Sequence, residues 1–188
     1  GLIAGLFGLM NIFARSMGGA FGDKFGVKHG LKGRVKFLFI VLFLEGIALM
    51  LFSQMTLLPV AIGTMILFSL FTQMSEGATY SVVPFINKKA IGSISGIVGA
   101  GGNVGAFLAA LYLKIKSVAA EEAAIAANEG RSSEIVEAAR ASASSAAISD
   151  AFFWFGFSIL DVGLVSLVIR FYQEDEKEAA FELSHQNA

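Results

Sequence analysis

Residues 90–113 read AIGSISGIVGAGGNVGAFLAALYL, twenty-four positions without one Asp, Glu, Lys or Arg. A helix rising about 1.5 Å per residue needs roughly 20 apolar residues to cross the hydrocarbon core of a bilayer, so this stretch is long enough to span. Residues 46–75 form a second charge-free run, thirty positions long. Two such runs in 188 residues, 55% of them apolar, with a mean hydropathy of +0.70, exceed what a water-facing surface tolerates. The expected fold is all-α: a polytopic transmembrane helical bundle.

Working outward from these runs, hydropathy marks five spans, at about 2–20, 35–52, 57–84, 90–113 and 151–169. The third is too long for one straight helix and is expected to end early or kink at Pro84. Pro59 suits its first turn, where a missing N–H costs nothing. Gly1 opens inside an apolar stretch with no Met and no basic flank, which does not read as a signal peptide. We expect a truncated start, the chain being a fragment of a longer protein.

Composition narrows the function classes. A formal charge of −1 provides no basic field, so no nucleic acid partner is implied. No cysteine is present, which excludes disulfides, cysteine–zinc sites and a thiol nucleophile, and the two histidines, His29 and His185, both lie in hydrophilic segments. No nucleophile–base pair, metal cluster or phosphate loop is recognisable, so neither an enzyme nor a cofactor or metal is expected.

Charge also orients the spans. The segment 21–36 holds Lys24, Lys28, Lys32, Arg34 and Lys36, and Asn87-Lys88-Lys89 joins the third and fourth spans. Short loops rich in Lys and Arg stay cytoplasmic. Both segments and the C-terminal tail are therefore expected inside, with 53–56 and 117–150 outside. The 117–150 stretch is rich in Ala, Ser and Glu, has almost no bulky apolar residue and cannot build a core. It reads as an external segment, partly helical and interrupted near Gly130. Phe152-Phe153-Trp154-Phe155 follows it, fitting an aromatic belt at the outer interface or lipid-facing bulk.

Several polar groups fall inside the apolar spans. Arg15 precedes Asp23 by eight residues, which places it about 12 Å inside the cytoplasmic boundary if the segment is helical. An arginine at that depth costs roughly 3 kcal/mol on insertion scales and should face a protein-lined cavity. Two readings fit: an ion pair with an intramembrane carboxylate, or a contact with a small planar oxyanion, to which a guanidinium fork donates two parallel hydrogen bonds. Glu45, Glu76 and Asp161 lie roughly 13–18 Å from the nearest cytoplasmic-side basic residue. Carboxyls in such surroundings serve proton coupling or stabilise the bundle. Glu76 is the preferred coupling candidate, because Gly77-Ala78 beside it permits close helix approach.

In the fourth span Gly92/Gly96 and Gly101/Gly105 each form a GxxxG spacing, which lets helices touch backbone to backbone. Asn103 sits within this cluster together with Gly101, Gly102 and Gly105. Its amide, beside exposed backbone, is equipped either for packing or for reading an oxyanion.

Three stretches together carry a family resemblance. GGAFGDKFGVKHGLKGR (18–34) resembles the basic loop motif of the major facilitator superfamily, at Gly19, Asp23, Lys24, Gly26, Lys32 and Arg34. NIFARSMGG (11–19) is similar to the eighth helix of the nitrate/nitrite porters of that superfamily. EGATYSVVPF (76–85) and GIVGAGGNVGAF (96–107) are similar to their tenth and eleventh helices, the latter being the nitrate signature. The combination is most like the eukaryotic high-affinity nitrate transporters of algae, fungi and plants.

The resemblance implies that residues 1–116 hold helices 8 to 11 of a twelve-helix transporter, 151–172 helix 12, and 173–188 an acidic cytoplasmic tail. Helices 1 to 7 of the same protein are then missing partners. Arg15 matches one of two arginines that clamp nitrate from opposite halves, and Asp23 pairs or caps across the cytoplasmic helix ends or forms a surface salt bridge. The implied function is secondary active nitrate transport by alternating access, in symport with protons, in the plasma membrane with a cytoplasmic C-terminus. Nitrate, nitrite and protons are the implied ligands and an accessory membrane protein a further partner. The alternatives are a nitrite or nitrate/nitrite exchange porter, and a non-transporting nitrate sensor or scaffold. The 117–150 segment is the departure from the family pattern.

Overall fold

Gly30 is the residue on which the chain first reverses. Its φ of 66° and ψ of −159° lie where only glycine rests without strain, and they break the long first helix, α1 (Leu2–Ser53), into two limbs. We call residues 2–29 the N-limb and 31–53 the C-limb. Contacts run in opposite directions from the turn: Gly26 packs on Arg34, and the ring of Phe25 lies 5.2 Å and that of Phe21 6.2 Å from that of Phe37. The limbs are therefore an antiparallel hairpin, and residues 21–36 form its closed end, helical on both sides of Gly30. Glycine at 33 permits this closeness, since a Cβ built there falls 2.2 Å from the Phe25 carbonyl oxygen.

This computed structural model describes residues 2–169. After α1 come α2 (Leu58–Val82), two short 3-10 turns (Val83–Phe85 and Lys88–Ala90), α3 (Ile91–Ala127) and α4 (Ser133–Ser166). All four helices are long and apolar enough to cross a membrane, and no strand occurs among the described residues. The fold is all-α, and the two limbs of α1 carry the first two of the five expected spans. Pro59 occupies the first turn of α2. That helix stops at Val82, two residues before Pro84, where the chain passes into a 3-10 turn. Residues 170–172 of the last expected span and the tail 173–188 lie outside the described residues.

The core forms where α2 lies against both limbs of α1. Ala14, Phe37, Leu38, Val41, Met74 and Ala78 are buried together, with Phe25, Leu42, Leu70 and Phe71 packed around them. Lipid tails are as apolar as leucine, so helices in a bilayer associate by close packing more than by hydrophobicity. Small residues provide it here. A Cβ on Gly18 would stand 2.2 Å from the Met74 carbonyl oxygen. On the other side α4 meets the C-limb through a reciprocal pair, Gly46 and Gly156, each of whose built Cβ falls 2.7 Å from the other's carbonyl oxygen.

The third helix packs differently. No residue of α3 is buried; it leans on α4 through Tyr112 and Phe155, 5.6 Å apart, and through the hydroxyls of Ser117 and Ser144, 2.6 Å apart. Both helices continue beyond their apolar spans, so that 117–127 and 133–150 are helical and the reversal falls on Gly130, with φ 82°. Alanine-rich sequence sustains such helices by intrinsic propensity. Arg140 donates to Glu121 at 2.8 Å across the pair.

Candidate functional site

Two arginines line one cleft of about 610 Å³ at the junction of the α1 hairpin with the end of α2. The N-limb contributes Arg15, Ser16, Gly19 and Asp23; the C-limb contributes Arg34; α2 and the turn after it contribute Gly77, Tyr80, Ser81, Pro84 and Phe85.

Arg15 follows Ala14, which is 1% exposed and fixes this turn of the N-limb against the core. Across from it Gly77 admits the α2 backbone to contact distance, a Cβ there falling 2.1 Å from the Arg15 carbonyl oxygen. Glu76 and Tyr80, one helical turn apart, are thereby brought alongside the guanidinium. Arg15 Nη1 lies 3.2 Å from Glu76 Oε2, with the side chains 46% and 48% exposed, and Arg15 Cζ sits 5.2 Å from the centre of the Tyr80 ring. The ion pair that the sequence left open is thus formed, and its partner is the acid singled out for coupling. Neither side chain is enclosed, and Arg15 lines the cleft.

Arg34 has the opposite character. It is 4% exposed, pairs with Asp23 across the hairpin, donates from Nη1 to the Ser81 carbonyl at 3.0 Å, and stacks on Phe85 with Cζ 4.7 Å from the ring centre. A single buried cation therefore ties both limbs of α1 to the end of α2. Gly26 makes room for it, the Arg34 side chain lying against its Cα. The pair joins a buried cation to a carboxylate that is 60% exposed. Lys24 and Lys32 are exposed at the closed end of the hairpin, and Gly19 faces the Gly77 carbonyl.

The other sequence candidates separate. Glu45, on the C-limb, is 6% exposed and accepts a hydrogen bond from the Thr72 hydroxyl at 3.1 Å, while its second oxygen has no partner among the described residues. Asp161 is exposed on α4. Asn103 is exposed on α3, and built Cβ atoms on Gly92, Gly96, Gly101, Gly102 and Gly105 meet nothing within 4 Å. These residues do not line the cleft. The glycine face nevertheless approaches it one turn earlier, where a Cβ on Gly99 lies 3.4 Å from the Tyr80 hydroxyl.

Tyr80 is the residue that sequence reasoning passed over. It stands between the Arg15 guanidinium and α3, and the signal for it was its place one turn after Glu76. Also missed were the close backbone approaches at Gly18, Gly46 and Gly156: Gly46 and Gly156 stand in no GxxxG pattern, and Gly18, which does form one with Gly22, was read only as part of the basic loop motif.

No family model and no solved structure matches the chain. Among curated proteins it is 43% identical over 111 residues to high affinity nitrate transporter 2.5 of Arabidopsis thaliana, covering 59% of this chain and 22% of that protein. It is 41% identical over 107 residues to nitrate transporter 2.2 of Chlamydomonas reinhardtii, covering 56% of this chain and 21% of that one. Against the nitrate/nitrite transporter NrtP of a Picosynechococcus strain, identity is 36% over 110 residues, covering 56% and 19%. The chain spans about a fifth of the length of these relatives. With four helices apolar enough to span and matches to transporters over more than half of its length, this chain is a membrane-protein homologue of the high-affinity nitrate transporters and the NrtP nitrate/nitrite transporters.

Proposed function

We propose that this chain is the C-terminal part of a nitrate transporter, contributing five membrane spans, and that Arg15 is one of the side chains that hold the anion. The observation that carries this reading is the Arg15 guanidinium, half exposed in the cleft beside Tyr80, in a chain homologous to nitrate transporters. Nitrate is planar and singly charged, and a guanidinium offers it two parallel N–H donors while staying charged at any physiological pH. The Tyr80 ring face supports the cation, a contact that gains strength away from water. Asn103 and the uncrowded backbone at Gly101, Gly102 and Gly105 complete the anion path along α3.

Transport proceeds by alternating access. The anion enters from outside, sheds water, is held between this bundle and helices beyond it, and leaves as the two halves rock. Protons accompany it. The basic end of the α1 hairpin faces the cytoplasm of a plasma-membrane protein and residues 117–150 lie outside, as the positive-inside rule orders them. Nitrite, also a planar monoanion, fits the same fork, and the names of the cyanobacterial relatives include it.

The test is nitrate flux into proteoliposomes holding the full-length transporter that carries this sequence. Net flux driven by an imposed pH gradient is the expected result. Absence of any flux returns the chain to a sensor or scaffold, and flux indifferent to the gradient removes proton coupling.

A further inference from the structure

We propose that Glu76 is the internal competitor of the transported anion: its carboxylate occupies Arg15 when the site is empty, and a proton taken up by Glu76 frees the guanidinium for nitrate. The inference rests on the reading of Arg15 as an anion contact and adds the residue that makes anion and proton load together.

The first support is chemical likeness. A carboxylate presents two planar oxygens to a guanidinium as nitrate does, and Glu76 Oε2 already stands 3.2 Å from Arg15 Nη1. Glu76 thus takes the Nη1 position of the donor fork, and on this proposal nitrate replaces it there. The second support is accessibility. Both partners are about half exposed, whereas Arg34 is 4% exposed and held by Asp23, Ser81 and Phe85 together. Asp23 is 60% exposed as well, so the difference lies in the arginines: of the two in the cleft, Arg15 alone is itself open to an incoming anion. Gly77 keeps the two backbones in contact and Tyr80 keeps the guanidinium seated, so the exchange is confined to the Glu76 side chain.

Charge balance supplies the third support. The empty site holds Arg15⁺ and Glu76⁻ and is neutral. Nitrate added alone leaves one uncompensated negative charge inside the membrane, which is costly. Nitrate added with one proton on Glu76 restores neutrality: the Arg15–Glu76 ion pair breaks, an O–H bond forms on the carboxyl, and an Arg15–nitrate pair replaces it. Loaded and empty sites then carry the same charge through the conformational change. Among the described residues, the charged and titratable groups that face Glu76 are Arg15 on the N-limb and Glu45 on the C-limb, with Tyr80 one turn along α2; Asp23 and Arg34 line the cleft with Arg15. The α3 contact at Gly99 brings none.

The experiment measures nitrate Kd across a range of pH in the purified full-length transporter and in its Glu76→Gln and Arg15→Lys variants. Wild type is expected to weaken as pH rises, towards the limit of about tenfold per pH unit for one linked proton. Glu76→Gln should bind at least as tightly as wild type at low pH and lose that slope. A folded Glu76→Gln protein that keeps the wild-type slope, or binds no nitrate at any pH, overturns the proposal while Arg15→Lys still reports separately on the anion contact. If Arg15→Lys retains wild-type affinity, the underlying reading of Arg15 falls and this inference with it. Proton uptake on adding nitrate to wild type in weak buffer needs no variant: about one proton per nitrate is expected at the limit, and none contradicts the proposal.

Discussion

The Arg15 carbonyl oxygen occupies the space that a side chain at Gly77 would need: a Cβ built on Gly77 falls 2.1 Å from it. This contact sets the distance between the N-limb and α2 and therefore the reach from Arg15 to Glu76 and Tyr80. Because the neighbour is backbone, a methyl group is accommodated only by separating the helices. Gly77→Ala is expected to destabilise by about 1–3 kcal/mol, the usual range for overpacking. At Gly163, where the nearest atom stands at an ordinary 3.4 Å, alanine should be neutral or slightly stabilising through its helix propensity. Thermal unfolding of both variants in detergent checks the contrast; equal melting temperatures would contradict the packing described.

Arg34 leads to a second prediction. Its guanidinium is 4% exposed, and Asp23 is its counter-charge among the described residues. Asp23→Ala leaves a buried cation with only the Ser81 carbonyl and the Phe85 ring among the described residues. The expected cost is about 1–3 kcal/mol, the range for leaving a buried group unsatisfied. Lys24→Gln, which removes an exposed cation lying over Phe21, should stay within about 0.5 kcal/mol. The same unfolding measurement reads both.

A third prediction concerns sidedness. The chain has no cysteine, so single cysteines introduced into it report their own accessibility in a transporter freed of other cysteines. A cysteine at Ser132, in the reversal between α3 and α4, should react with a membrane-impermeant thiol reagent on intact cells. One at Lys28, near the closed end of the α1 hairpin, should react only after permeabilisation. The reverse pattern would invert the proposed orientation.

How much of this was legible in the sequence depends on whether the determining interaction was local. Charge-free runs report helices directly, and Pro84 marked the end of α2 because proline restricts the residue before it. The roughly 12 Å between Arg15 and Asp23 needed only the helical rise; that both line one cleft follows from how the helices pack. The pairing of Arg15 with Glu76 joins residues sixty-one positions apart, and nothing along the chain specifies that meeting. Glycine spacing misled in a specific way. The GxxxG pairs of α3 meet open space, while Gly18 and Gly77 on different helices make the tight contacts. A spacing says that a close approach is allowed, not which face receives one. The helical character of 117–150 and its break near Gly130 were legible from composition, but its packing was not, because alanine and serine leave no apolar stripe to read.

The most direct measurement of the central claim is nitrate affinity in the full-length transporter with Arg15→Lys, assayed beside wild type under the same pH and salt. Lysine keeps the charge and loses the planar fork, so the account predicts nitrate binding weakened by about tenfold or more, corresponding to at least about 1.4 kcal/mol, the size of a lost charge-assisted hydrogen bond. Unchanged affinity in a folded Arg15→Lys protein would contradict it.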